Sequence, residues 1–270
     1  MRFILLIKFQ YGSGSVSVLP ISAGSPYFSD DISTTRLEGS GPNTDRQEAS
    51  HAHQVVLLQD RGELLVPDLG GDRVYIFKKD QCGDWSVHDH IQFPPGSGPR
   101  HVVVHGQYSL QNITDKRRSI DGHLYTLLEL TSQLAQSPYP PDKTSSLIIT
   151  STMANPPTLP HDMLAAEVLI PPSNASYPTA YVYVSNRNDP SPDGDIIAIF
   201  STSMELIAEV RTGLNHVRGI IFGGHDDRYL VAGGVHGGGV KVFERIEGGK
   251  SLKEIASNPD IVKPTGFLWL

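Results

Sequence analysis

Residues 66–77 read VPDLGGDRVYIF. On both sides of Asp-Leu-Gly-Gly-Asp, large apolar residues alternate with smaller or polar ones, and the central five carry turn chemistry. The stretch is therefore strand, tight turn, strand. The pattern recurs along the chain. First strands are expected at HQVVLL (53–58), RHVVVH (100–105), AAEVLI (165–170) and VRGIIF (217–222), and second strands at GELLVPD, GHLYTLLE, AYVYVSN and RYLVAGG. Third strands follow at DRVYIFKK, DIIAIFST and GVKVFERI, with a weaker counterpart around SSLIITST. A fourth, more polar strand follows in stretches such as WSVHDHIQF and MELIAEVRT.

The repeats start at intervals of roughly 50 to 65 residues, the spacing of β-propeller blades with long loops. No dozen-residue window sustains apolar spacing at three and four, and prolines are scattered between the strands, so the class is all-β. Four complete four-stranded blades are expected. Ahead of them YGSGSVSVLPI (11–21) reads as part of a fifth, and 1–270 as one propeller domain. Segments 24–50, 110–121 and 133–146 are polar and rich in Ser, Pro, Asp and Asn, and read as long loops.

Composition narrows the function. Glycine (26) and proline (20) are plentiful and charged residues make up 19% of 270, which favours turns over long surface helices. The net charge is −7. The nearest thing to a basic stripe is Lys116, Arg117 and Arg118 in an expected loop, so nucleic acid is disfavoured as a partner. MRFILLIKFQ has five apolar residues, 3–7, before Lys8. That is short of the roughly 7 to 15 of a signal core and the roughly 20 of a membrane span, so it reads as a strand and no membrane association is expected. Cys82 is the single cysteine, which excludes an internal disulfide and fits a reducing, cytoplasmic setting. Two sequons, at Asn112 and Asn174, read as chance in a chain without an export signal.

In a propeller, strand entries and second-strand ends gather on the rim of the central channel. Entries here carry His51, His53, Arg100, His101, His216 and Arg218; second-strand ends carry Asp68, Glu129 and Arg187. Imidazole, carboxylate and guanidinium together suit acid–base chemistry on an anionic, oxygen-rich substrate. Each residue taken singly also reads as a turn cap or a backbone partner. Rim residues are expected to bury little apolar area, so substituting Arg100 or Arg187 is expected to remove activity with little loss of stability. His51-x-His53 lacks third and fourth ligands at a telling spacing, so no metal is expected. GGVHGGGV (233–240) reads as a hairpin rather than a dinucleotide cradle. Ser109, Ser151 and Ser185 lack a nucleophile-elbow context.

SHAHQVVL, LLVPDLGGDRVYIF, GPRHVVVH, LYTLLELTSQL, YVSNRNDPSPDGDIIAIF and DDRYLVAGGVHGGGVKVFER, in this order, resemble the seven-bladed lactonase propeller family. That family takes in bacterial-type 6-phosphogluconolactonases and fungal 3-carboxy-cis,cis-muconate cyclases, and the fungal members look closest. The resemblance implies a site of His51 (His53 second), Arg100, Glu129 and Arg187. The arginines would bind the anion, and His51 and Glu129 would form an acid–base pair whose order stays open. His53, His101, Asp68, His216 and Arg218 would bind substrate. It further implies a small anionic lactone or carboxylate as substrate, no cofactor and no metal. Hydrolysis of a sugar lactone is the first expectation and muconate cyclisation the alternative. Full members carry about two more blades before YGSGSVSVLPI, so the chain is expected to be N-terminally shortened. An inactive fragment, or an interaction module of the WD type, is the competing class; no Trp-Asp dipeptide supports the latter. A shortened propeller is expected to bare apolar sheet surface at 16–21 and from Val217 onward, inviting self-association.

Overall fold

The computed structural model describes residues 4–21, 24, 27, 32–108, 120–141 and 146–270. Among the described residues, five antiparallel sheets follow one another along the sequence, each with strands in chain order. The first has three strands, β1 (Ile4–Gln10), β2 (Ser15–Ile21) and β3 (Ser33–Arg36). The second has β4 (Val56–Leu58), β5 (Glu63–Asp68), β6 (Arg73–Lys79) and β7 (Trp85–Gln92). The third has β8 (Pro99–Tyr108), β9 (Ile120–Leu128), β10 (Gln133–Tyr139) and β11 (Ile148–Ser151). The fourth has β12 (Leu164–Leu169), β13 (Tyr181–Arg187), β14 (Ile196–Ser201) and β15 (Leu206–Arg211). The fifth has β16 (Asn215–Gly223), β17 (Tyr229–Gly237), β18 (Gly239–Ile246) and β19 (Ser251–Asn258). Among the described residues the only helical pieces are two 3-10 turns, His225–Asp227 and Glu247–Gly249.

The chain packs as two compact units, Met1–Leu124 with Pro138–Ser145 and Tyr125–Ser137 with Ser146–Leu270. In the first, Val16, Val18, Leu37, Leu64, Val66 and Phe77 share one core between the first and second sheets. In the second, Tyr183, Ile197, Ile199, Ile220, Leu230 and Phe243 do the same between the fourth and fifth. Middle strands are covered on both faces, which is why β5 and β13 are buried at every position, the apolar runs 64–66 and 181–184 and the polar strand ends alike. The fourth strands β7 and β19 are mostly exposed, and β15 alternates half-buried with exposed, as a sheet margin does.

Four expectations need correction. Residues 133–139 lie not in a loop but in strand β10, buried at five of seven positions. Its polar Gln136 misled the reading, and it is satisfied inside: its amide donates to the Tyr125 hydroxyl and to the Thr202 carbonyl, both at 2.8 Å. SSLIITST therefore supplies a fourth strand, β11, paired to β10. The expected loop 24–50 contains β3, whose Ser-Thr-Thr-Arg sequence carries no apolar signal and which pairs with β2 through its backbone. Of the expected loop 110–121, residues 110–119, with Lys116 to Arg118 and the Asn112 sequon, lie outside the described residues, and Ile120 already opens β9.

The fourth correction concerns part of the two faces expected to be bare; from Val217 onward Ile255, Val262 and Leu268 do stay exposed, at 46%, 80% and 81%. Val16 and Val18 are 2% and 8% exposed. On the fifth sheet, residues 264–269 cross β16 and β17 over glycines. A Cβ on Gly223 would stand 2.1 Å from the Trp269 ring, and one on Gly233 would stand 2.7 Å from both Pro264 and Phe267. The glycines permit this close approach.

One device repeats. Asp72, the residue before β6, accepts the Gly98 N–H through Oδ1 at 2.8 Å and the Gly96 N–H through Oδ2 at 2.7 Å, just ahead of β8. Ser132, before β10, donates its hydroxyl to the Met163 carbonyl at 2.9 Å, just ahead of β12. Asp195, before β14, accepts the Val217 N–H of β16 at 2.8 Å. Each time, the side chain leading into the third strand of one sheet grips the backbone entering the next. Ahead of β18 the corresponding residue is Gly238, which has no side chain to do so.

Candidate active site

In the first unit, a row of rings runs from Tyr11 to Arg100. Tyr11 stacks on His51 with centroids 4.4 Å apart, and meets His53 edge-on at 5.8 Å; His53 meets His101 edge-on at 5.0 Å. Arg100 Nη1 lies 3.3 Å from both nitrogens of the His101 ring, and donates to whichever is unprotonated. Both ring nitrogens of His51 face oxygen acceptors: Nδ1 the Tyr11 carbonyl at 2.9 Å, Nε2 the Glu48 carboxylate at 3.0 Å. A backbone hydrogen bond, helped by the His51 ring, holds the Glu48 carboxyl below its usual range.

Asp68 is fully buried, and its Oδ1 accepts the N–H groups of His51 (2.6 Å) and Gly70 (3.1 Å). Burial pushes its carboxyl up. Its geometry is that of a strut: with the bridge between Ala52 and Asp68, it fixes the backbone that presents His51.

In the second unit, Glu129, just past β9, meets Arg187 at the end of β13. Arg187 Nη2 lies 2.9 Å from Glu129 Oε2 and donates to the Ala165 carbonyl at 3.1 Å. Both side chains are almost wholly buried, at 4% and 2% exposure. Arg100 is likewise 1% exposed. The expectation of rim residues with little buried area therefore fails for both arginines. Removing one member of a buried ion pair leaves the other charge uncompensated, at a cost of about 3–5 kcal/mol.

β16 delivers two more groups to this unit. Pairing to β17 skips between Asn215, Val217 and Gly219, and the backbone at His216 turns left-handed with φ 63°. Such bulges re-aim side chains. Val217 goes fully into the core while His216 and Arg218 stay half-buried. His216 stacks at a tilt on His236, centroids 4.2 Å apart. Its imidazole is lowered to about 4, first by burial and then by the positive charge of Arg187, the His236 ring and Arg218, against a smaller opposing pull from Glu129. Neutral imidazole is thus its form at pH 7. The Asp195 carboxyl is raised by burial, against the backbone N–H groups of Asp189, Val217 and His216 that it accepts.

The sequence reading named Glu129, Arg187, His216 and Arg218, and all four fall in this electrostatic neighbourhood. It missed Asn188, His236, Glu48 and the gripping residues Asp72, Ser132 and Asp195. A Gly-Asp step before a third strand, in GGDRVYIF and DGDIIAIF, was the available signal for two of them. Among the described residues, no three His, Cys, Asp or Glu side chains gather as metal ligands do.

A family model described as lactonase, 7-bladed beta-propeller, matches residues 4–269. A protein of Arthroderma benhamiae named "Probable 6-phosphogluconolactonase" is 28% identical over 276 residues, covering 98% of this chain and 65% of that protein. The 6-phosphogluconolactonase of Bacillus subtilis is 26% identical over 250 residues, covering 90% of this chain and 63% of the relative. The chain thus spans less than two thirds of the length of these curated relatives. Among solved structures, a protein from Lactobacillus plantarum superposes with a TM-score of 0.75 at 22% identity, over 97% of this chain and 70% of that one. The periplasmic gluconolactonase of Pseudomonas aeruginosa superposes with a TM-score of 0.71 at 19% identity, over 98% and 69%. At such identities the superpositions speak for the fold alone. With nearly its whole length matched by the family model, and its sheets formed as blades of that fold, the chain belongs to the seven-bladed β-propeller lactonase family.

Proposed function

We propose that the chain hydrolyses the lactone of an anionic sugar acid, in the manner named for its 6-phosphogluconolactonase relatives. The observation that carries this reading is the grouping of Glu129, Arg187, His216 and Arg218 within one compact unit. Two guanidinium groups suit a substrate that is anionic and that gains negative charge on its carbonyl oxygen as the ring opens. Arg187, fixed by Glu129 and the Ala165 carbonyl, is a rigid donor of the kind such stabilisation requires; Arg218, half-buried, is placed to receive the substrate's own charge. Arg100, with His101 and His53 beside it, is a further anion-binding candidate in the other unit, and His51 a proton carrier there.

The test is direct. The purified chain is assayed against 6-phosphogluconolactone, an uncharged gluconolactone and a carboxymuconolactone. Hydrolysis favouring the phosphorylated lactone is expected, and Arg218→Ala should raise KM for it at least tenfold with little change for the uncharged lactone. Equal use of the charged and uncharged lactones would overturn the anionic assignment. Turnover of the muconolactone alone would move the reading to cyclisation chemistry.

A further inference from the structure

The amide of Asn188 sits between a backbone carbonyl and an imidazole. Its Nδ2 donates to the Asp162 carbonyl at 2.9 Å, and its Oδ1 lies 2.7 Å from His216 Nδ1. A carbonyl only accepts, so the Asp162 end fixes which way the amide faces. The Asn188 oxygen, also only an acceptor, then requires a proton on His216 Nδ1. The lone pair is left on Nε2, which makes no hydrogen bond among the described residues. Both Asn188 (φ 62°) and His216 (φ 63°) stand in left-handed backbone, so the contact joins two locally strained points.

We propose that His216, held by Asn188 as its Nδ1–H tautomer, is the proton acceptor of the site, and that Asn188 is its positioning residue. This rests on the lactonase reading above. Glu129 is tied to Arg187, and both nitrogens of His51 face acceptors, whereas His216 Nε2 presents a lone pair at neutral pH. A water passes its proton to Nε2 as its oxygen bonds to the lactone carbonyl carbon, and the carbonyl electron pair moves onto the oxygen. When the tetrahedral centre collapses, the ring C–O bond breaks. The imidazolium returns the proton to the departing ring oxygen, leaving the open hydroxy acid. The groups that bear on the ring from neighbouring elements are Arg187, Arg218, His236 and Glu129, while the buried Asp195 meets the backbone N–H of His216 rather than its ring. An anionic substrate near the arginines offsets their charge and makes the imidazole more basic in the complex than in the free protein. The acid limb of kcat should therefore lie at higher pH than that of kcat/KM.

Two measurements on the full chain decide it. Nitrogen-15 NMR of the imidazoles reads the tautomer without any substrate. His216 should show Nδ1–H at pH 7 and titrate near pH 4, and Asn188→Asp, which puts a carboxylate against Nδ1, should move that midpoint upward. A Nε2–H tautomer, or an unmoved midpoint, overturns the positioning role. For turnover, His216→Asn keeps a residue tolerant of left-handed backbone and should lower kcat at least a hundredfold with an unchanged circular dichroism spectrum, while His216→Gln provides a second comparison. Turnover within threefold of wild type in either folded variant overturns the proton-accepting role. Failure of the wild-type chain to open any lactone overturns the lactonase reading and that role with it, while the NMR result still stands or falls by itself.

Discussion

His216 couples pH to stability as well as to chemistry. Its folded-state value, about 4, lies below the ordinary 6.5 of an unfolded chain. The unfolded state thus binds the proton more readily. The stability this confers is complete above about pH 6.5 and is lost as pH falls toward 4. His216→Asn removes that dependence: urea midpoints of wild type and variant should diverge between pH 7 and 4.5, the wild type falling further, with parallel curves counting against it. At Arg187 the expectation is opposite to that for an exposed rim residue. Arg187→Ala should lower stability by about 3–5 kcal/mol, and Arg187→Lys by less, in thermal or denaturant unfolding. Sequence alone grouped Glu129, Arg187, His216 and Arg218 with His51, His53, Arg100 and His101 on one expected rim, because each falls at a strand entry or strand end. It gave no access to the Glu129–Arg187 pairing or to the tautomer of His216, because both depend on which atoms meet across separate strands.

The sheets were legible where apolar residues dominated a strand. The hairpin of residues 66–77 forms as read, Asp68 opposite Arg73 across its turn. Strands β3 and β10 were hidden because their polar side chains are either exposed or satisfied by partners distant in sequence, and periodicity does not register such partners. The gripping side chains predict directional damage. Asp195→Ala removes the acceptor for Val217 N–H, so amide exchange should quicken at the start of β16, in the fifth sheet, more than in β13 or β14, beside which Asp195 sits. Faster exchange confined to the fourth sheet would contradict this. Asp195→Asn offers a gentler probe. Because burial raises the Asp195 carboxyl, the wild type should lose stability relative to this variant as pH rises from about 4 through the raised folded value, and the difference should level off above it.

Across the whole chain, counting repeats gave the number of four-stranded sheets and the partial one ahead of them. It did not show how residues 264–269 cover the fifth sheet, since a run of glycines reads as a turn until something is seen lying on it. Gly223→Val should displace Trp269, cost about 1–3 kcal/mol, and shift tryptophan emission to longer wavelength. An unshifted spectrum at unchanged stability would show that this cover is not held there. The grip exerted by Asp72, Ser132 and Asp195 has a consequence of another kind. In every case main-chain groups are gripped, joined at Asp72 by the Ser97 hydroxyl at 3.3 Å, so most side chains of the strand being held are free. A copied sheet brings with it the fastening for whatever sheet comes next, and the newcomer needs few matching residues to be accepted. Arg100, His216 and Arg218 all stand on strands held in this way. Chemistry in such a chain can therefore be rewritten at the strand entries while the assembly of the repeats is left untouched.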